Sequence, residues 1–295
     1  MTPGVVVAAV AALVVAFLVV SRLRRSARRR RLFAAPFPPE WEAILERNVP
    51  LYHRLPETLR TELKGHVNVF LAEKNFEGCG GLEMTEEIRV TVAAQACMLL
   101  LGRKTRYYPR LSSVLVYPDA YVARAARAVG GHVVEGTDVR AGESWTGGAV
   151  VLTWDYVRRG AGDLSDGHNV VLHEFAHQLD QENGHADGVP VLERHTSYVT
   201  WARILGREFE RLRRDVKRRR KTVLDEYGAT NPAEFFAVAT ETFFERPGLL
   251  KKKEPRLYDE LKAYYRLDPL TWTSGAGKAP QKEGTRPQAG ASKGR

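Results

Sequence analysis

The chain holds little cysteine. Two in 295 residues, Cys79 and Cys97, neither in a C-x-x-C pair, exclude a cysteine-rich zinc cluster and suit a reducing compartment where both are small buried side chains. A disulfide between them is the lesser reading. No internal repeat is present, which sets aside solenoid architectures. No basic region precedes the one long apolar run at the amino terminus, and no small-residue cleavage site follows it, so a cleaved signal peptide fits poorly. The basic block Arg211–Lys221 lacks interleaved aromatics. It reads as a solvated helix face, and no nucleic-acid partner is expected. The formal charge of +10 therefore describes local surfaces rather than a partner.

What is present begins with the apolar run itself. Gly4 to Val20 carries no charge, and seven arginines follow between Arg22 and Arg31. Extended by Ser21 and Leu23, residues 1–23 are expected to be a retained single-pass transmembrane helix in the cytoplasmic membrane. The arginine side, and with it the rest of the chain, would face the cytoplasm. Residues 24–39 read as a basic juxtamembrane linker whose arginines serve as a topology signal. Residues 40–272 form the main domain, and 273–295, rich in Gly, Ala, Lys, Pro and Gln, a disordered tail. Apolar content of 44% is ample for a core.

Within the domain, helical spacing marks Glu57–Glu73, Glu86–Leu101, Trp201–Lys221 and Asn231–Glu245. Strands are expected at Ser113–Tyr117 and Gly148–Trp154, with a turn-rich connection at Phe76–Leu82. The element pattern is α+β and mainly helical, with a small mixed sheet.

The most informative segment is His173-Glu174-Phe175-Ala176-His177, H-E-x-x-H inside an apolar helical run. On a helix, positions i and i+4 share a face, so both imidazoles can bind one Zn2+. Glu174 can then hold and deprotonate a water. A third ligand is needed. The H-x-x-G-x-x-H continuation fails, because Asp180 and Asn183 stand where glycine and histidine are required. His185 lies nearby at the wrong spacing. Glu234 and Glu241, seven residues apart on a later helix, are both candidates. Asn231, Pro232 and Glu234 also match a capping arrangement, so the residues alone leave the choice open.

His173-Glu174-Phe175-Ala176-His177-Gln178-Leu179-Asp180, with Asn183-Gly184, Gly188-Val189-Pro190 and Asn231-Pro232-Ala233-Glu234-Phe235-Phe236-Ala237-Val238, resembles the MtfA family. These are zinc-dependent peptidases named for titration of the Mlc repressor. Val116-Tyr117-Pro118, Gly142-Glu143-Ser144-Trp145 and Tyr264-Tyr265-Arg266-Leu267-Asp268-Pro269 extend the resemblance to about Pro38–Trp272. The family looks like the catalytic domain of anthrax lethal factor. That likeness implies a zincin-type domain with Zn2+ on His173, His177 and Glu234, Glu174 as general base, and Tyr227 beside the metal. It leaves Glu241 as a supporting or structural residue; Asp180 is a separate candidate to orient a ligand histidine from behind. The resemblance implies a metallopeptidase acting on a peptide or protein substrate, the strand Gly148–Trp154 being the edge on which an extended peptide lies. It equally allows a zinc-containing protein that sequesters a transcriptional regulator with little peptidase activity. The soluble members that gave the family its name match only after the linker, so the apolar segment and arginine cluster are additions in this chain.

Overall fold

The computed structural model describes residues 3–119, 121–129, 132–140, 142–145, 148–192 and 195–272; the side chains of Val5, Val6, Ala8, Ala9, the three segments between 121 and 145, and residues 195–197 lie outside that description, as does the tail expected at 273–295. Helix α1 (Pro3–Phe33) leads into α2 (Pro39–Asn48), α3 (Pro50–Arg54) and α4 (Glu57–Glu73). Strand β1 (Asn75–Gly78), α5 (Glu86–Met98) and β2 (Ser113–Tyr117) follow, then a hairpin of β3 (Tyr121–Val129) and β4 (His132–Arg140). Next come β5 (Gly142–Trp145), β6 (Ala149–Thr153) and α6 (Trp154–Gly162). The chain finishes with α7 (Val170–Asp180), α8 (His195–Lys217), α9 (Pro232–Glu245), α10 (Pro247–Lys253) and α11 (Pro255–Tyr265).

The sheet is small and mixed, in the order β1-β2-β6-β5. β1, β2 and β6 run parallel, and β5 runs antiparallel to β6. The α+β class read from the sequence is therefore met. Two of its details are not. Phe76–Gly78, read as turn, pairs with Val114–Val116 as part of β1, because three glycines downstream masked a short edge strand. β6, expected at the sheet edge, is covered on one side by β2 and on the other by β5. The edge strand on that side is β5.

The transmembrane anchor expected at residues 1–23 is corrected. Among the described residues no helix is long and apolar enough to cross a membrane. The uninterrupted apolar run Gly4–Val20 is 17 residues, about 25 Å of helix against a hydrocarbon core of about 30 Å. The arginine segment expected as a linker continues the same helix to Phe33 and docks on α4. Arg29 makes two 2.8 Å hydrogen bonds to the Glu73 carboxylate. Phe33 stacks edge-on against His66.

One continuous core joins α2–α5, the sheet and α7–α11. α5 starts at Thr85, whose hydroxyl accepts from the Ile88 amide, and its residues from Val90 to Met98 are buried. α7 sits at the centre. Phe175 lies 4.9 Å from the Tyr108 ring and 5.7 Å from Phe70, so the middle of H-E-x-x-H is pinned by aromatic packing on the face opposite its histidines. α9 carries a nearly unbroken apolar surface from Phe235 to Phe244 and packs on α7. Both cysteines are free thiols, Cys97 fully buried.

Phe175→Ala opens a cavity under the motif helix. It is expected to cost about 3–5 kcal/mol of folding stability, read as a lowered urea midpoint.

Candidate metal centre

α7 is set by its cap. The Asn169 side chain accepts from the Leu172 amide at 3.0 Å, which starts the helix four residues before His173. α9 starts in the same way, with Asn231 Oδ1 accepting from the Glu234 amide at 3.0 Å and Pro232 in the first turn. The capping arrangement and the liganding reading of Glu234 prove compatible. Its backbone N–H serves the cap while its carboxylate turns to α7.

Glu234 Oε2 lies 3.0 Å from His173 Nε2 and 3.3 Å from His177 Nε2, and the two Nε2 atoms are 3.2 Å apart. Three donors at about 2.0–2.1 Å around a tetrahedral zinc are separated by about 3.3 Å. The donor set, two imidazole nitrogens and a carboxylate oxygen, is a zinc set in both chemistry and spacing, and these residues form the one potential metal cluster among the described residues. The electrostatics agree. Burial pushes the Glu234 carboxyl up, but hydrogen bonds and charge from the two imidazoles outweigh it and hold the group well below the usual carboxylate range. For His173, burial opposes the charged form, yet Glu241 and Glu234 raise it well above an ordinary imidazole. Positive charge is what this pocket favours.

Glu241 stands behind His173. Its Oε1 is 2.7 Å from His173 Nδ1 and its other oxygen accepts from the Asn169 backbone amide. With Nδ1–H committed to Glu241, His173 Nε2 is left with a lone pair facing Glu234 and His177. Between the two candidates the structure thus puts Glu234 at the cluster and Glu241 one step outside it. Glu174 is 6% exposed, and its carboxyl is raised chiefly by burial, against the pull of His173 and His177. Tyr227 lies in a short 3-10 turn (Glu226–Ala229). Its ring centre is 6.0 Å from that of His173, and the residue is 52% exposed, so it borders the cluster from the solvent side.

Asp180, expected behind a ligand histidine, also holds the loop that follows α7. Its Oδ2 accepts from the Gly188 amide at 2.9 Å, and Trp201 Nε1 donates to the Gly188 carbonyl. Asp180 therefore clamps the loop after α7 against α8. Gly188 has φ 75° and a Cβ there would stand 2.3 Å from the Pro232 carbonyl oxygen, so this loop and the start of α9 meet with no room for a side chain. His185 is outside the cluster, its amide bonded to Asn183 Oδ1.

Two participants escaped the sequence reading. Asn169 joins the cap of α7 to both acids behind the centre, since its amide nitrogen Nδ2 donates to Glu245 Oε1 at 3.1 Å. An asparagine just before an apolar helical run is a legible cap signal. Glu245 is 2% exposed, and burial pushes its carboxyl up to about 9. Its spacing of four from Glu241 was the available clue.

The comparisons decide the family. A family model described as glucose-regulated metallo-peptidase M90 matches residues 23–266. The chain belongs to this family of metallopeptidases. A Synechocystis relative called uncharacterized protein slr2042 is 45% identical over 245 residues, covering 82% of this chain and 89% of its own. Mlc titration factor A of Yersinia pestis, strain Pestoides F, is 32% identical over 254 residues, covering 83% and 92%; a Yersinia pseudotuberculosis protein of the same name matches equally. As an M90 member the chain is metallopeptidase-like and MtfA-like, and its family implies a metal.

Glu245 yields a pH prediction. Its folded value lies above its unfolded one, so its burial costs nothing in acid and destabilises increasingly as pH rises from about 4.5 toward 9. Glu245→Gln keeps the Asn169 bond without the charge. The variant should gain about 2 kcal/mol at pH 8 and little at pH 5, checked by melting temperature across that range.

Proposed function

We propose that the chain is a zinc-dependent peptidase of the two-histidine, one-glutamate type, hydrolysing a peptide or protein substrate. The observation that carries the reading is the convergence of His173, His177 and Glu234 at tetrahedral-ligand spacing beside a buried glutamate that no ligand role requires. A structural zinc site would be closed by a fourth ligand and has no need of a base.

His173, His177 and Glu234 would hold the ion. Zinc bound there would supply Lewis acidity, polarising the scissile carbonyl and acidifying the attacking water. Glu174 takes the water proton and passes it to the departing amine; a carboxyl raised by burial is better matched to both halves of that task than an ordinary one. Tyr227, at the open side of the cluster, donates a hydrogen bond to the oxyanion as the carbonyl is attacked. Glu241 keeps His173 in the tautomer that presents Nε2. An extended substrate backbone would pair with the outer side of β5, which is hydrogen-bonded to β6 on its inner side and packs near α7. We place the activity in the cytoplasm, as the free thiols of Cys79 and Cys97 suit a reducing compartment.

A second reading is favoured by one finding, the name of the 32% identical relatives, Mlc titration factor A. By analogy this chain would sequester a transcriptional regulator, with peptide cleavage secondary.

Glu174→Gln separates the two. The variant should bind one zinc per chain by metal analysis and lose about 100- to 10000-fold in peptide hydrolysis, whereas His177→Ala should lose the metal as well. Full hydrolysis by Glu174→Gln overturns the peptidase mechanism; regulator binding undiminished in a hydrolytically dead variant supports sequestration.

A further inference from the structure

A second charge feature, besides the metal centre, is a groove lined by basic side chains. Helix α1 turns its arginine half toward the loop before β2, enclosing a groove of about 1000 Å³. Arg22, Arg25, Arg28, Arg29, Lys74 and Arg106 line it, and Glu73 is the one acid among its lining residues. Glu73 is committed to Arg29, whose guanidinium sits in a bidentate pair with it and over the Tyr107 ring at 4.8 Å. Arg29 also donates to the Arg106 carbonyl and Arg28 to the Ala72 carbonyl, so these two build the walls. Lys74 donates to the carbonyls of Tyr108 and Leu111, and burial pushes its ammonium down to about 8. The guanidinium groups of Arg22, Arg25 and Arg106 have no hydrogen-bond or ion-pair partner among the described residues.

Arg22, Arg25 and Arg29 fall at i, i+3 and i+7, on one helix face. A docked, packed helix that gathers cations this way pays for their mutual repulsion unless an anion enters. The planar fork of arginine matches the oxygens of a phosphate group better than it matches any other common anion except carboxylate.

The source of that phosphate is indicated by what adjoins the groove. Toward the amino terminus α1 is apolar and uncovered on every side, with Leu13, Val15, Phe17, Leu18 and Leu23 among its exposed side chains. The apolar stretch meets the cationic groove within one turn, at Leu23 and Arg22. An apolar end that runs straight into a basic one suits a bilayer surface, the first among acyl chains and the second among anionic headgroups.

We propose that the groove between the arginine half of α1, the end of α4 and the Thr105–Pro109 segment binds the phosphate of an anionic phospholipid headgroup, with the adjoining apolar half of α1 lying against the bilayer surface. Arg22, Arg25 and Arg106 contact the phosphate; Arg28 and Arg29 hold the groove open.

The test is vesicle co-sedimentation of the full chain. Two vesicle types are used, pure phosphatidylcholine and phosphatidylcholine with about one-fifth phosphatidylglycerol. Two charge-matched variants are compared, Arg22→Gln/Arg25→Gln/Arg106→Gln in the groove and Arg214→Gln/Lys217→Gln/Arg218→Gln on exposed α8 and the turn after it. The native chain should prefer the anionic vesicles by at least about tenfold, a preference weakened by salt. The groove variant should lose about 100-fold in affinity for them, from the usual contribution of three basic side chains near an anionic surface. The α8 variant should keep its binding, and circular dichroism should show both variants folded. Equal binding to the two vesicle types overturns the proposal, as does an equal loss in the α8 variant. Displacement from the vesicles by low concentrations of inorganic pyrophosphate would assign the groove to a soluble polyphosphate and overturn the lipid source.

Discussion

Ionisable side chains on apolar helix faces can be buried only if they meet one another, and this constraint organises the centre of the molecule. α7 contributes His173, Glu174 and His177, and α9 contributes Glu234, Glu241 and Glu245, from surfaces made largely of Val, Leu, Phe and Ala. Isolated, each group would carry a desolvation cost of several kcal/mol. Packed together, Glu234 faces both imidazoles, Glu241 backs His173, and Asn169 ties Glu241 and Glu245 to the cap of α7. Of these paired groups, Glu174 and Glu245 keep a net deficit, both raised by burial. One of them is the proposed base, and a raised carboxyl is an asset there.

The rest of the fold holds that pairing still. The ring cluster of Phe70, Tyr108 and Phe175 fixes the rotation of α7 about its axis, and hence which way the histidines point. Asp180 and Gly188 bring the following loop against the start of α9, and the cap at Asn231 sets where its first glutamate falls. The small sheet adds an edge, β5, near the same helix. The arginine half of α1 follows a different logic: Arg29 anchors it through Glu73, while Arg22, Arg25 and Arg28 stay exposed around a groove with one lining acid.

Local patterns were legible wherever one element carried them. The i, i+4 histidines, the helices Glu57–Glu73 and Asn231–Glu245 and the strand Ser113–Tyr117 follow from periodicity and caps, and the structure has each within a residue. Short strands failed that test. β1 is four residues beside a run of glycines, and β5 is four residues, too brief for alternation to show. The apolar run at the amino terminus read as a spanning helix because composition there is continuous, whereas length and the docking of the arginines on α4 count against it.

By itself the sequence determined that two histidines able to share one metal ion stand together, because one helical turn brings His173 and His177 side by side whatever surrounds them. It also carried the motifs of the family, from which the third ligand could be expected. Only the tertiary structure decided where Glu234 and Glu241 stand relative to the histidines. Seven residues apart on one helix face, they are equivalent to any periodicity. The crossing of α9 over α7 brings one to the Nε2 atoms and the other to the Nδ1 side of His173, and a crossing is a property of two packed surfaces that no single segment encodes.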